Sequence, residues 1–210
     1  MGKPWVVLGG GGHAKVVIDA LLAGQHQVLG FTSPGAEVAA ILGVERVGDD
    51  DALGRYPAGE VVLANGLGSV GSSDLRRELF LRFSAQSYSF PTIVHPSAVV
   101  ASSVSFGSGV QVLAGAVVQP GCRIRENVIL NTRSSLDHDC TIGAHAHVAP
   151  GATLSGGVVV GEGAHIGTGA SVIQGVEIGE RSVVGSGAAV VRDVPAERTV
   201  VGVPAKERTS

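Results

Sequence analysis

The sequence predicts two domains of different classes, an N-terminal α/β domain followed by a C-terminal parallel β-helix. Short apolar segments alternate with helical spacing in the first 90 residues. After them, an apolar residue recurs at every sixth position from Val94 to Val190. Glycine supplies 32 of 210 residues and aromatic residues only 4%, which suits a narrow core of small side chains. We therefore expect domains at residues 1–90 and 91–210.

The first domain begins with the pattern of a βαβ unit. Trp5–Leu8 reads as a buried strand, Ala14–Leu22 has helical spacing, and Gln27–Phe31 reads as a second strand. Further along, the sequence predicts a short helix over Val38–Leu42, a third strand over Gly59–Ala64 and an amphipathic helix over Asp74–Phe83. We expect the arginines of the last helix to form a solvated face: Arg76, Arg77 and Arg82.

A glycine loop joins the first strand to the first helix. Gly9, Gly11 and Gly12 leave room for a phosphate to approach the backbone at a helix N-terminus. The loop lacks the full G-x-G-x-x-G spacing, and Thr32 and Ser33 stand where a dinucleotide site needs an acidic residue. These features favour a mononucleotide or sugar nucleotide over NAD. A second loop, Asn65–Ser69, follows the third strand, and we expect both loops to face one pocket.

The six-residue period fits a solenoid of short strands, because six residues turn an α-helix well past one and a half turns. Three hexads make one triangular coil, so residues about 18 apart stack at one strand spacing. This register predicts that His138 lies beside Gly156, that His147 stacks on His165, and that Cys122 stacks on Cys140. The flat faces of a thin prism predict side-by-side packing, most simply as a trimer, with clefts between neighbours as ligand sites.

Composition and charge exclude several classes of protein. The net charge is −3 with dispersed Lys and Arg, which is not the footprint of a nucleic-acid-binding protein. No run of 18 apolar residues predicts a membrane span and no signal peptide is evident, so we expect a cytoplasmic protein.

The two cysteines, Cys122 and Cys140, are expected to be core thiols. The H-x-H pair His145 and His147 has no carboxylate or cysteine at a spacing that completes a metal site, so no metal is expected.

Two stretches interrupt the apolar pattern with polar residues that the β-helix does not need, Asn131–Cys140 and Ala144–Gly156. His138 lies at a predicted corner between Asp137 and Asp139, and a neighbouring carboxylate raises imidazole basicity and fixes its tautomer. General base and solvated loop histidine both remain open on this pattern. Adjacent residues of a strand point to opposite sides, so pairing of His138 with Asp139 requires a turn.

Five motifs together resemble the NeuD/PglD-like family of sugar acyltransferases, within the superfamily of left-handed β-helix, hexapeptide-repeat acyltransferases. The resemblance covers essentially the whole chain and implies an N-terminal Rossmann-like βαβαβ domain followed by a left-handed parallel β-helix. The motifs are Leu8–His13, Ile129–Thr132, His138–Gly143, His147–Ala152 and Val201–Lys206.

The resemblance implies a homotrimeric acetyltransferase that uses acetyl-CoA, bound between adjacent prisms, to acetylate the amine of a nucleotide-linked 4-amino-4,6-dideoxy sugar. His138 matches the general base of the family and Asp139 its acidic neighbour. Residues matching the acetyl-CoA site are His147, Gly156, Thr168, Gly185 and Ser186. Residues matching the sugar-nucleotide site are Gly11, Gly12, His13, Gly66 and Asn131.

One departure from the family concerns the nucleotide. PglD-like members carry two aspartates after the second strand, and this chain carries Thr32 and Ser33. GDP- and dTDP-linked sugars therefore stand beside UDP-linked ones as expected acceptors. A sugar O-acetyltransferase of the sialic-acid type and a non-catalytic β-helix binding protein are the alternatives. A nucleotidyltransferase with a β-helix tail is disfavoured, because its catalytic domain would be larger and would need a basic, metal-binding nucleotide loop.

Overall fold

The computed structural model describes residues 2–69 and 74–208 and divides the chain into two compact units, Met1–Pro96 and Ser97–Ser210. The division falls after Pro96, whereas the sequence predicted it after residue 90. The short strand Ile93–Val94 contacts the first helix, which keeps this segment with the first unit. No helix among the described residues is long and apolar enough to cross a membrane.

The first unit is a five-stranded sheet with helices. Its elements are β1 (Trp5–Leu8), α1 (Gly12–Ala23), β2 (Val28–Thr32), β3 (Ala40–Ile41), β4 (Val44–Gly48), a 3₁₀ helix (Asp50–Arg55), β5 (Val62–Asn65), α2 (Asp74–Ala85) and β6 (Ile93–Val94). The sheet order is β3-β4-β2-β1-β5, parallel except for the β3–β4 hairpin. The strands expected over Trp5–Leu8, Gln27–Phe31 and Gly59–Ala64 are present, with the third one shifted to end at Asn65.

The helix predicted over Val38–Leu42 is wrong. Ala40–Ile41 forms an edge strand that turns back onto β4 through two left-handed residues, Leu42 with φ 51° and Gly43 with φ 80°. Two successive positive φ values give a hairpin turn whose twist matches that of the flanking strands. A five-residue run is too short to hold a helix without packing, so the hairpin prevails.

The second unit is a parallel β-helix of two-residue strands arranged on three faces, and it ends in a three-residue strand, Thr199–Val201, that pairs antiparallel with Lys206–Glu207. The strands of the first face in this unit are Gln111–Val112, Ile129–Leu130, His147–Val148, His165–Ile166, Val183–Val184, Thr199–Val201 and Lys206–Glu207. Those of the second face are Val99–Val100, Val117–Val118, Ser135–Leu136, Thr153–Leu154, Ser171–Val172 and Ala189–Val190. Those of the third face are Ser105–Phe106, Arg123–Ile124, Thr141–Ile142, Val159–Val160 and Glu177–Ile178.

The register of the faces confirms the 18-residue coil. Val118 pairs with Leu136, Ile124 pairs with Ile142, and His147 pairs with His165 as predicted. In each two-residue strand, the second residue points inward. These residues are the ones that recur at every sixth position, and together they form an apolar ladder that fills the prism and is almost wholly buried. The packing of this ladder therefore fixes the positions of the polar residues at the corners.

Candidate active site

His138 and Asp139 form a bonded pair at the corner between the second and third faces, which we call the His138 corner. This corner comprises residues 137–139 in one coil and residues 155–157 in the next coil. Nδ1 of His138 lies 2.9 Å from Oδ2 of Asp139. Asp139 has a left-handed φ of 60°, and this turn lets two adjacent side chains meet. The turn that the sequence required for this pairing is present.

The carboxylates around His138 determine which of its nitrogen atoms is basic. The hydrogen bond to Asp139, and then the charge of Asp137, raise the pKa of His138 above its ordinary value. Since Nδ1 faces a carboxylate, Nδ1–H donates and Nε2 carries the lone pair. The side chain is 55% exposed, so Nε2 is open to a ligand. This arrangement suits a general base.

The imidazole of His138 lies directly over Gly156, as the 18-residue register predicted. A Cβ atom at Gly156 would sit 2.5 Å from Nε2 and 2.6 Å from Cε1 of His138. Any side chain there would displace the ring. The N–H of Gly156 has no hydrogen-bond partner in the described parts of the chain, while the next residue, Gly157, donates to the carbonyl of His138 at 2.8 Å. A basic nitrogen atom and an unpartnered amide thus adjoin each other.

Sequence reasoning missed a second sign of this site, the replacement of glycine at corner positions. Left-handed residues recur every six positions from Gly109 to Gly187. Glycine is the usual residue there, because a side chain is disfavoured at positive φ. The non-glycine residues of this series are Asn127, Arg133, Asp139, His145 and Arg181. Four of these five are consecutive and surround His138, so the site could have been located by the absence of glycine.

Asn131 and His147 meet at a different corner, between the first and second faces, which we call the Asn131 corner. Nδ2 of Asn131 lies 3.0 Å from Nε2 of His147, and Oδ1 of Asn131 accepts the N–H of Thr132 at 2.8 Å. The second bond fixes the amide orientation, so Nδ2–H donates and Nε2 of His147 accepts. His165 packs edge-on against His147 with centroids 4.9 Å apart, and burial lowers the pKa of His165. His147 is therefore held in place by Asn131 on one side and by the ring of His165 on the other.

The remaining residues matched to acetyl-CoA lie further along the Asn131 corner. Thr168 and Ser186 are exposed and Gly185 is half-buried. Successive coils are tied here by backbone bonds, such as Gly187 N–H to the Thr168 carbonyl at 2.9 Å. One face of the prism separates this corner from the His138 corner. Within one chain, the structure thus brings His138 to Gly156 and Asn131 to His147 but does not unite the two pairs.

The first unit contains the predicted cleft between two glycine loops. It has a volume of ≈ 390 Å³ and is lined by residues 9–13, 33–34 and 66–68. Helix α1 begins at Gly12 without a side-chain cap and without an acidic residue in its first turn. A Cβ atom at Gly11 or Gly12 would meet nothing within 4 Å. Free amides and a positive helix end make this cleft suitable for phosphate.

Two polar residues support this cleft from inside the unit. Arg76 is buried, contrary to the expectation of a solvated face, and donates to the carbonyls of Asn65 at 3.0 Å and Leu67 at 2.7 Å. Burial lowers its pKa to about 9. These two bonds hold the second loop against α2. Thr32 is also buried, and its hydroxyl donates to Oδ1 of Asp50 at 2.7 Å and accepts the N–H of Gly9 at 3.4 Å, so it ties the first glycine loop to the 3₁₀ helix.

The histidines of the H-x-H pair have separate hydrogen-bond partners. Nδ1 of His145 lies 2.9 Å from Nδ2 of Asn127, while His147 is bonded to Asn131. Over residues 2–69 and 74–208, no group of three His, Cys, Asp or Glu side chains is placed to hold a metal ion.

Comparison with known proteins places both units in one family. The model of the PglD N-terminal domain matches residues 5–83, and that of the bacterial transferase hexapeptide repeats matches residues 121–156.

Three solved structures resemble nearly the whole chain. PerB from Caulobacter crescentus, in complex with CoA and GDP-perosamine, is 42% identical, with 98% of this chain and 97% of that chain covered and a TM-score of 0.91. The acetyltransferase domain of PglB from Neisseria gonorrhoeae, in complex with acetyl coenzyme A, is 33% identical over 99% and 100%, with a TM-score of 0.93. WeeI from Acinetobacter baumannii is 25% identical over 98% and 99%, with a TM-score of 0.88. The chain therefore belongs to the NeuD/PglD-like family of sugar acetyltransferases.

Proposed function

We propose that this enzyme transfers the acetyl group of acetyl-CoA to the amine of a nucleotide-linked 4-amino-4,6-dideoxy sugar, with GDP as the preferred nucleotide. The observation that carries the proposal is the basic Nε2 of His138 beside the unpartnered N–H of Gly156. The 42% identity to PerB, solved with CoA and GDP-perosamine, favours GDP. The presence of Thr32 and Ser33 in place of two aspartates agrees with a nucleotide other than UDP.

The chemistry is direct transfer through a tetrahedral intermediate. The sugar amine attacks the thioester carbonyl carbon as Nε2 of His138 accepts the amine proton. The carbonyl oxygen becomes an oxyanion, and the N–H of Gly156 donates to it. The C–S bond then breaks, and the departing CoA thiolate takes up the proton held by His138. Asp139 keeps Nδ1 protonated and stabilises the imidazolium. Cys140 is wholly buried and cannot act as a nucleophile.

The phosphates of the nucleotide are assigned to the glycine cleft. The backbone of Gly11 and Gly12 and the first turn of α1 supply donors, His13 lines the same cleft, and Gly66 closes it. Gly66 admits no side chain, since a Cβ atom would lie 2.6 Å from the Leu8 carbonyl oxygen. The donor is assigned to the Asn131 corner, with His147 at its acetyl end and Thr168, Gly185 and Ser186 along the pantetheine. Asn131 matches the sugar-nucleotide site by sequence, but because it bonds to His147 we assign it to the acetyl end of the donor.

We also propose that the enzyme is a homotrimer whose sites lie between chains. One acetyl group cannot touch Gly156 and His147 of the same chain, because a whole face of the prism separates the two corners. A neighbouring prism can place its Asn131 corner against the His138 corner.

Mixed trimers test this assembly. His138→Ala and His147→Ala variants, each impaired alone, should regain part of the wild-type activity when co-expressed, because some sites then receive both intact corners. The controls are each variant expressed alone. Absence of regained activity in verified mixed trimers would place both residues in a site within one chain.

A thiol-release assay tests the reaction itself. The enzyme is given acetyl-CoA with GDP-, UDP- or dTDP-linked 4-amino-4,6-dideoxy sugars, or with matched sugars that carry only hydroxyl groups. We expect the highest kcat/KM with the GDP-linked amino sugar and an acetamide in the product by mass spectrometry. Turnover confined to hydroxyl sugars would identify an O-acetyltransferase. Absence of both turnover and acetyl-CoA binding would indicate a binding protein.

A further inference from the structure

Two core thiols lie beneath the His138 corner. Cys122 and Cys140 occupy the same inward position in consecutive coils, and both are fully buried. Other coils carry valine at this position, namely Val104, Val158 and Val176. Packing alone therefore does not require a thiol here.

Each thiol reaches a backbone carbonyl of the next coil. Sγ of Cys122 donates to the carbonyl of Asp137 at 3.1 Å, and Sγ of Cys140 donates to that of Ser155 at 3.3 Å. These carbonyls belong to the peptide units that supply the N–H groups of His138 and Gly156. In a planar trans peptide the C=O and N–H point in opposite directions. A carbonyl held toward the core thus turns the Gly156 N–H outward, toward His138.

At the Asn131 corner, the corresponding carbonyls accept backbone N–H groups and not thiols. The N–H of Ser134 donates to the carbonyl of Asn131 at 2.9 Å, and the N–H of Ala152 donates to the carbonyl of Ala149 at 3.2 Å. At the His138 corner, the described residues show the thiols as the donors to Asp137 and Ser155. A weak S–H donor is informative here because the same geometry recurs in two successive coils.

Cys140 holds a proton that it can donate. The adjacent thiol of Cys122, and then burial, raise the pKa of Cys140 well above its ordinary range. Two acceptors lie within reach of this proton, the Ser155 carbonyl oxygen and the Cys122 sulfur. A carbonyl oxygen is the stronger acceptor of the two, so we assign the proton to Ser155.

We propose that Cys140 is a positioning residue that orients the Ser155–Gly156 peptide for oxyanion stabilisation. Cys122 likewise orients the Asp137–His138 peptide, whose N–H donates to Oδ1 of Asp137 at 2.8 Å and so helps to hold the base in place. The inference rests on the proposed acetyl transfer. It assigns a role in the reaction to two core residues that touch no substrate.

Substitution of Cys140 by valine and by serine tests the role. Cys140→Val removes the donor and introduces the residue that this column of the core already uses, so the protein should fold. We expect kcat to fall roughly 10-fold, less than the ~10²–10³-fold typical of losing an oxyanion donor outright, with KM for both substrates changed less than about 3-fold. Cys140→Ser keeps an O–H donor and should retain kcat within about 3-fold of the wild type.

Val158→Ala is the matched control, because it removes core volume from the same column without touching a carbonyl-bound donor. It should lower Tm while leaving kcat unchanged. The positioning role is overturned if Cys140→Val keeps wild-type kcat, or if kcat follows Tm across all three variants.

Crystal structures of the wild type and Cys140→Val give a second readout that does not need turnover. We expect the Ser155–Gly156 peptide to rotate in the variant, and an unrotated peptide overturns the inference. If the wild type acetylates none of the sugars, the proposed function fails, while the peptide orientation still decides the role of Cys140.

Discussion

The two candidate binding regions use glycine in opposite ways. In the cleft of the first unit, glycine itself forms the site, since Gly11 and Gly12 leave open space in front of a helix N-terminus. In the β-helix, glycine is the ordinary corner residue, and the site lies where it is replaced, as at Asp139 and His145. The first region is suited to an anion through backbone amides, and the second places side chains for proton transfer.

This difference shows what each region has to provide. Binding of phosphate needs donors and space, both of which the backbone supplies. Proton transfer needs a titratable group of tuned pKa, which only a side chain supplies. Side chains at left-handed positions are tolerated best for Asn, Asp and His, and three of the four consecutive replacements are of these types.

Removal of the proposed base is the most direct test of this difference between the glycine cleft and the His138 corner. His138→Ala should lower kcat by roughly 10²–10⁴-fold in the thiol-release assay, because the imidazole assigned to take the amine proton is lost. His26→Ala, an exposed histidine of the first unit that contacts Trp5, serves as the control and should keep wild-type kcat. Near wild-type turnover of His138→Ala would remove the general base from the mechanism.

Gly156 is a glycine that belongs to the His138 corner, and its substitution tests the same difference between the two regions. Gly156→Ala should lower kcat by about 10²-fold, since its methyl group would overlap Nε2 of His138 and cover the oxyanion donor. Gly175→Asn, at an open left-handed position one coil further on, should leave kcat unchanged. Equal losses in the two variants would mean that the β-helix, and not the His138 contact, had been disturbed.

The pH dependence of the reaction tests whether the neighbouring aspartates raise the pKa of His138. The base acts when neutral, so kcat/KM of the wild type should rise with pH through a pKa above the ordinary histidine value, because Asp139 and Asp137 stabilise the imidazolium. Asp139→Asn keeps a residue that tolerates left-handed φ but loses the charge. Its pH profile should shift to lower pH, and its plateau should fall roughly 10-fold. An unshifted profile would show that Asp139 does not control the titration.

The smallest effect is expected in the cleft. Gly12→Ala should raise KM for the sugar nucleotide by roughly 10-fold, with kcat and KM for acetyl-CoA nearly unchanged, because its methyl group fills space assigned to phosphate. Gly54→Ala is the matched control, since a Cβ atom there also meets nothing within 4 Å. A selective rise in KM for acetyl-CoA would contradict the assignment of this cleft.

Prediction from the sequence succeeded best in the β-helix. A strict period converts distance along the chain into position in space, so the contact of His138 with Gly156 and the stacking of His147 on His165 followed from counting. It was weaker in the first unit, where Ala40–Ile41 proved to be a strand and Arg76 proved to be buried. Those outcomes depend on packing between segments that no local pattern encodes.

By itself, the sequence determined the two fold classes, the coil register, the glycine cleft and the residues of the His138 corner. Only the tertiary structure decided that Asp139 turns back onto His138, that the Asn131 corner lies a full face away, and that two core thiols donate to the carbonyls of Asp137 and Ser155. The physical reason is that a repeated apolar ladder fixes backbone register, whereas side-chain partners across coils and peptide orientations depend on φ and on contacts between distant residues.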